Sequence, residues 1–222
     1  MELKNKNVVI TGGTRGLGKS LALAFVREGS NVVVCAKDEE GLNNLPENIL
    51  GIKADVTIEN DLANLADFAV KKFGGIDIWI NNAGIWMPHE FAENFDMDKV
   101  KKMFEVNVFG LMNGSRVALR FMKKINSGMI INIISDSALA SRPTSSMYCA
   151  SKWAASGFTK SIRDENKNFS VLAVYPGGFK TDIFGENKPD NFDDFMEVEY
   201  VAEKIVENLK SEDFNEELIV QK

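Results

Sequence analysis

Thr11-Gly12-Gly13-Thr14-Arg15-Gly16-Leu17-Gly18 follows the apolar run Asn7–Thr11 without a break and leads into a stretch of helical period over residues 16–28. Three glycines at this spacing, between a strand and a helix, each answer a steric demand. Gly12 permits a tight turn, Gly16 lets the backbone approach a pyrophosphate, and Gly18 lets helix and strand pack closely. The first N–H groups of the helix lack intrahelical acceptors, so they offer hydrogen bonds and a partial positive charge to phosphate oxygens. A glycine-rich turn alone can be merely structural. Its place after a strand and before a helix is what points to a dinucleotide.

Outward from this turn the pattern repeats. Apolar runs of strand length occur at Asn7–Thr11, Asn31–Ala36, Ile49–Ala54, Ile76–Asn81, Met129–Ile134, Ser170–Tyr175 and Leu218–Val220. The middle ones are nearly continuous in Val, Ile and Leu, as expected of strands buried on both faces of a parallel sheet. Helical patterns fill the intervals at 16–28, 59–73, 98–124, 146–165 and 199–210. Leu62, Leu65, Ala66 and Ala69 share one helix face; Val100, Met103, Phe104, Val108 and Leu111 mark another. The alternation predicts an α/β fold: a Rossmann-like, doubly wound parallel sheet of about seven strands with helices on both faces. The interval between Ala36 and Ile49 holds Pro46 and is too short for a full crossover helix, so a single helical turn or a loop is expected there. No repeat or Pro/Gly-rich linker divides residues 1–222, which read as one domain.

The 222 residues are 45% hydrophobic and 26% charged, the balance of a globular protein. Lys and Arg number 26 against 32 Asp and Glu, a net charge of −6. That argues against broad nucleic-acid binding and leaves room for a local basic pocket that holds a phosphate. No stretch approaches the ~20 apolar residues of a membrane span. The polar start runs straight into a strand, so no signal peptide is expected. Cys35 and Cys149 lie far apart and are expected as reduced thiols of a cytoplasmic protein. With one histidine, His89, and no clustered cysteines, no metal site is expected.

The second strand ends at Ala36-Lys37. An acid there would accept the hydroxyls of an adenosine ribose and repel a 2′-phosphate. Here neutral Ala36 is followed by Lys37, and Arg15 stands in the glycine loop. Two cations near the 2′ position favour NADP(H). Asp38 weighs the other way: if the strand runs two residues longer, it becomes the ribose acid, and NAD(H) remains an alternative.

Tyr148 and Lys152 lie four positions apart on a predicted helix and so share a face. A free phenol has a pKa of ~10, and lowering it towards 7 takes about 4 kcal/mol. An ammonium ~4 Å away, at an effective dielectric of ~20, supplies about that much. Lys152 is therefore expected to tune Tyr148 as a proton donor and acceptor. Ser135 ends the strand run Ile130–Ile134. Carboxyl ends of parallel strands are where open α/β sheets bind ligands, and a hydroxyl there can hold a carbonyl or alkoxide oxygen.

At these residues the chain resembles the short-chain dehydrogenase/reductase family. The matching pieces are Thr11-Gly12-x-x-x-Gly16-x-Gly18, Asp55-Val56, Asn81-Asn82-Ala83-Gly84, Asn107, Ser135, Tyr148-x-x-x-Lys152, and Pro176-Gly177 with Thr181. They stand in the family's order between residue 7 and about residue 181. The resemblance implies an enzyme that interconverts a small-molecule carbonyl and an alcohol by hydride transfer. Tyr148 would be general acid in reduction and general base in oxidation. Lys152 would also hold the nicotinamide ribose, and Ser135 would orient the reacting oxygen. Asn107 would bend its helix and hold a water that relays protons to Lys152. Gly12, Thr14, Arg15, Gly16, Leu17, Gly18 and Lys37 would hold the phosphates and adenosine, and Asp55 and Val56 the adenine. Asn82, Ala83 and Gly84 would line the cofactor cleft. Pro176, Gly177, Phe179 and Thr181 would lie near its nicotinamide end.

Some features depart from the family pattern. The second crossover is shortened, and residues 161–168 end their helix early. Residues 182–196 stand where the family's substrate lid lies; they are short and acidic and carry Phe184, Phe192 and Phe195. The aromatics suit an apolar part of the substrate, and the acids argue against an anionic one. Trp86, Met87 and Arg142 either join the pocket or serve core and surface, and His89 reads as a solvated loop residue. The chain ends in an edge strand, Glu217–Lys222, without the longer segment that builds tetramer contacts in the family. A tetramer is therefore doubtful, while a homodimer across helices 98–124 and 146–165 stays compatible. The first rival is another enzyme on the same scaffold, such as a nucleotide-sugar epimerase or dehydratase, whose larger C-terminal substrate region 222 residues leave no room for. The second is a non-enzymatic NAD(P)-binding sensor; such proteins commonly lose the tyrosine or the lysine, and here both are present. An NAD-dependent alcohol dehydrogenase is a further alternative.

Overall fold

In the computed structural model, which describes residues 1–222, the chain alternates strand and helix from end to end. The order is β1 (Asn7–Thr11), α1 (Gly16–Arg27), β2 (Asn31–Ala36), α2 (Glu39–Asn43), β3 (Ile49–Lys53), α3 (Glu59–Phe73) and β4 (Ile78–Asn81). Then follow α4 (Met97–Phe104), α5 (Leu111–Ile125), β5 (Met129–Ile133), α6 (Ser146–Glu165), β6 (Ser170–Pro176), α7 (Val198–Lys210) and β7 (Glu217–Val220). The strands form one seven-stranded sheet in the order β3-β2-β1-β4-β5-β6-β7, and every pairing is parallel.

Alternate residues of a strand face opposite ways, and here both directions are apolar. Val8, Ile10, Val32, Val34, Ile78 and Ile80 pack against Leu21 and Phe25 of α1 and Ile205 and Leu209 of α7. On the other face, Val9, Val33, Trp79 and Ile130 meet Leu62 and Leu65 of α3, Met122 of α5 and Ile162 of α6. Each such side chain, fully buried, contributes roughly 1.5–3 kcal/mol. The doubled core explains the continuous Val/Ile runs. The short α2 is the single helical turn expected between the second and third strands.

The predicted helix 98–124 is helical throughout, but its winding changes in the middle. Between α4 and α5 the backbone winds into a π-helical stretch, Glu105–Gly110, that buries Asn107. A π turn inserts one residue without any proline or glycine signal, so a 3.6-residue period passes over it. Gly110 stands in this stretch because a Cβ there would lie 2.7 Å from Val56 Cγ2.

One polar cluster crosses the second core. Asn81 Nδ2 donates to Asn132 Oδ1 at 2.8 Å and to Ser115 Oγ at 3.0 Å, and Asn81 Oδ1 accepts from Trp79 Nε1 at 2.8 Å. Asn132 Nδ2 donates to Thr159 Oγ1 at 2.9 Å. Every buried polar side-chain atom of the structure has a partner, so the cluster pins α5 and α6 to β4 and β5 without a desolvation penalty. No helix is long and apolar enough to cross a membrane.

Candidate active site

β1 and β4 are neighbours in the sheet, and the chain leaves them towards opposite edges. At such a reversal the loops after the two strands part and leave a crevice at the carboxyl ends. A cleft of about 1280 Å³ opens there. Its wall holds Gly12, Thr14, Arg15, Gly16, Leu17 and Gly18 after β1, Lys37 after β2, and Asp55 and Val56 after β3. Asn82, Ala83 and Gly84 follow β4, Ser135 follows β5, and Tyr148 and Lys152 come from α6. Pro176 ends β6, and Gly177, Phe179 and Thr181 follow it. Of the predicted site residues, Asn107 alone stands behind the wall.

At one end the glycine turn is shaped by close approach. Gly16 has φ +51° and lies under Thr181, whose Oγ1 would be 2.8 Å from a Cβ at that position. A Cβ on Gly18 would run into the Gly12 carbonyl oxygen. Asn82 Nδ2 ties the turn to β4 by donating to the carbonyls of Thr11 and Gly12 at 2.9 and 3.1 Å. Arg15 is the exposed residue before α1. Lys37 pairs with Asp55 at 2.7 Å. The remaining acceptor of Asp55 receives Thr57 N at 3.0 Å and Thr57 Oγ1 at 2.7 Å. The Asp55 carboxylate is thus occupied within the protein, and so is its backbone: its N–H donates to Asp61 Oδ2 and its carbonyl accepts from Ile58 N, both at 2.9 Å.

At the other end Ser135, Tyr148 and Lys152 come together. Lys152 is 7% exposed and its Nζ lies over the Tyr148 ring, 5.5 Å from the centroid. The ammonium makes no hydrogen bond to the phenol and lies over its ring. The expected depression of the phenol is not found. Desolvation pushes Tyr148 up to about 12, opposed by the Ser135 hydroxyl and reinforced by the charge of Asp136. Desolvation likewise lowers Lys152 to about 8. A crowded site disfavours either charge, an effect that helical spacing does not carry.

Lys152 gives a measurable consequence for stability. Between pH 8 and its ordinary value of 10.5 the folded lysine is neutral while the unfolded one keeps its proton. The unfolded state then binds more protons, so folding gains stability as pH rises through this window. Lys152→Met removes the titration. Wild type should gain on this variant by up to about 3 kcal/mol between pH 7.5 and 10.5 in urea unfolding; parallel curves would contradict the assignment.

Asn107 Oδ1 accepts from Ile85 N at 2.8 Å, and its Nδ2 donates to Ile85 O at 2.9 Å. The side chain clamps the loop after β4. A Cβ on Gly84 would lie 3.4 Å from Asn107 Oδ1 and 3.8 Å from Lys152 Nζ, so only this glycine separates the two.

Several cleft residues escaped sequence reasoning. Asp136 follows Ser135 and pairs with Arg142 at 2.7 Å. Its one sequence signal was its place beside Ser135 at a strand end. His89, read as a solvated loop residue, is exposed but also lines the cleft. Its Nδ1 lies 3.3 Å from the hydroxyls of Thr144 and Ser145. The end of segment 182–196 returns to the residues just before it: Lys180 N donates to Met196 O at 2.8 Å and Met196 N to Gly178 O at 3.1 Å. Phe184 packs edge-on against Trp86 at 5.0 Å and also meets Phe192 and Phe195, both at 5.9 Å.

Residues 6–191 match the family model described as short chain dehydrogenase. The chain belongs to the short-chain dehydrogenase family. It is accordingly a nicotinamide-dependent oxidoreductase acting on CH–OH groups. This dehydrogenase is 33% identical over 194 residues to the 3alpha-hydroxysteroid dehydrogenase of Mediterraneibacter gnavus, covering 82% of this chain and 77% of the relative. The solved structure of 3-ketoacyl-(acyl-carrier-protein) reductase from Brucella melitensis with NADH is 26% identical, with a TM-score of 0.89 over 98% of this chain and 97% of that one. ElxO with NADP bound is 30% identical, with a TM-score of 0.85 over 97% and 96%.

The residues of the dehydrogenase fit such a cofactor. The glycine turn packs too closely against Ala83, Thr181 and its own Gly12 carbonyl for side chains, and the first residues of α1, whose N–H groups lack intrahelical acceptors, line the cleft. Lys152 is a nearly buried cation with no ion pair or hydrogen bond inside the protein, and it faces the cleft. Its Nζ keeps access to the cleft, and a ligand that displaces the water there must supply oxygens to it.

Proposed function

We propose that this dehydrogenase reduces a carbonyl to an alcohol, and the reverse, with NADP(H) as preferred cofactor and Tyr148 as general acid and base. The observation that carries the reading is the trio of Ser135, Tyr148 and Lys152 at the end of a cleft that begins at the glycine turn. A bound nicotinamide supplies the hydride to the carbonyl carbon or takes it back. Ser135 Oγ donates to the substrate oxygen and holds it beside the phenol. Tyr148 protonates that oxygen in reduction. Its raised pKa keeps the phenol protonated at neutral pH, the state that reduction requires. Lys152, charged below about pH 8, binds the ribose hydroxyls and balances the phenolate left after proton transfer.

The preference for NADP(H) draws support from Arg15, Lys37 and the neutral Ala36 that closes β2. Asp38 stands beyond the strand, at the start of α2. Lys37 must divide its charge between Asp55 and a 2′-phosphate, so Arg15 carries the larger share. The segment 182–196 serves as a lid, with Phe184 against Trp86 as its clasp. Exposed Phe109 and Trp153 suit a homodimer across α5 and α6. Free Cys35 and Cys149 suit the cytoplasm.

The test is a panel of ketones, aldehydes, sugars and pteridines assayed with NADPH and NADH in parallel. Turnover with a higher kcat/KM for NADPH is expected. Arg15→Ala should weaken NADPH binding about tenfold and leave NADH binding within about twofold, with Lys37→Ala following more weakly. NADPH binding without turnover on any compound would favour a sensor. Tighter binding of NADH would give the ribose to Asp38.

A further inference from the structure

Asp136 and Arg142 face the reacting end of the cleft, and the chemistry above uses neither. Asp136 is nearly buried, its side chain 14% exposed. Oδ1 lies 3.4 Å from Ser135 Oγ, and Oδ2 accepts from Arg142 Nη2 at 2.7 Å. General catalysis does not explain a carboxylate here. Its charge opposes both the negative charge that develops on a substrate oxygen and the phenolate of Tyr148. Partial burial of an ion pair is also a weak source of stability. What remains is recognition.

We propose that Asp136 and Arg142 bind a hydroxyl on the carbon next to the reacting one, so that the preferred substrates are α-hydroxy ketones and the matching vicinal diols. The proposal rests on the oxidoreductase reading for its reacting atom. Ser135 Oγ and Asp136 Oδ1 are spaced like oxygens carried by adjacent carbons. A substrate oxygen held by Ser135 therefore brings its neighbour's substituent to Asp136.

A carboxylate has about four acceptor sites; Asp136 gives one to Arg142, and the long one it gives to Ser135 is freed once that hydroxyl turns its single proton to the substrate oxygen. Arg142 uses one of its donors on Asp136, and its other N–H groups make no hydrogen bond within the protein. A hydroxyl can donate to the first residue and accept from the second. A carboxylate in its place would be repelled by Asp136, and a methylene would leave polar groups unpaired against an apolar one. Trp86 and Phe184 supply an apolar wall for the rest of the molecule. The neighbouring hydroxyl is held and not consumed: the hydride goes to the carbonyl carbon and the Tyr148 proton to the carbonyl oxygen, giving the diol and oxidised cofactor.

Two measurements separate recognition from chemistry. Cyclohexanol and the cis and trans cyclohexane-1,2-diols are titrated calorimetrically onto the protein saturated with NADPH, which cannot take a hydride from them. Cyclohexanone, 2-hydroxycyclohexanone and 2-oxocyclohexanecarboxylate are assayed as substrates with NADPH. One diol should bind about 10–100-fold tighter than the monoalcohol, and the hydroxy ketone should lead in kcat/KM by a similar factor. The keto acid should be the poorest substrate. In Asp136→Ala and in Arg142→Ala, each studied separately in case one fails to fold, the binding ratio should fall to within about threefold of unity. Equal binding of both alcohols by wild type, or a ratio unchanged in both variants, overturns the proposal. Selective diol binding without turnover of any ketone upholds the recognition and removes the oxidoreductase reading instead.

Discussion

Tyr148→Phe should lower kcat by roughly 10²–10⁴-fold, the range of a lost general acid, while NADPH still binds within about threefold of wild type. The substitution removes one oxygen. The ring stays on α6 under Lys152 Nζ, which sits 5.5 Å from its centroid, so neither the helix nor the cation loses its packing. Ser135 can still polarise a carbonyl, but it has no way to replace the proton it would give up. Because the phenol acts on the oxygen only as charge develops, kcat and kcat/KM should fall together with little change in KM. Steady-state kinetics beside calorimetric titration of NADPH decide the matter. A variant that retains more than about a tenth of wild-type kcat would remove Tyr148 from the proton path.

Gly18→Ala should weaken dinucleotide binding at least about a hundredfold and cost roughly 1–3 kcal/mol of stability. The added methyl collides with the Gly12 carbonyl oxygen and presses on Asn82 Nδ2. That amide holds the carbonyls of Thr11 and Gly12, so one methyl disturbs the turn, the start of α1 and the tie to β4 together. The backbone N–H groups that point at a pyrophosphate then lose their common aim. Gly157→Ala is the matched control. It lies inside α6 with open space around it, and alanine there should stabilise the helix by about 0.5–1 kcal/mol. Measured NADPH affinity within threefold of wild type in Gly18→Ala would show that the close approach is not needed.

The stability of the alkaline form and the choice between NADPH and NADH depend on subtler balances. Lys152 and Tyr148 are one helical turn apart, which the sequence makes plain. Whether the ammonium meets the phenol oxygen or the ring face depends on rotamers set by α6, the π-helical stretch and the loop after β5. Simple distance arithmetic left out burial, and the fold places the ammonium over the ring, 5.5 Å from its centroid, in a desolvated site. Lys37 is a similar case. Its charge is visible in the sequence, but its bond to Asp55 joins the ends of β2 and β3, which become neighbours only in the sheet.

The expected cleft residues came largely from the family resemblance, whereas local spacing was enough for a parallel sheet with helices on both faces and for the glycine turn. Those properties follow from the two-residue repeat of a strand, the 3.6-residue repeat of a helix and the steric freedom of glycine, all of which act within a few residues. Only the tertiary structure decided the π turn around Asn107, the pairing of Asp136 with Arg142, the aromatic clasp between Trp86 and Phe184, and the direction in which Tyr148 and Lys152 titrate. Each of these depends on burial or on a partner far away in the chain, and neither quantity is written in the spacing of neighbouring residues.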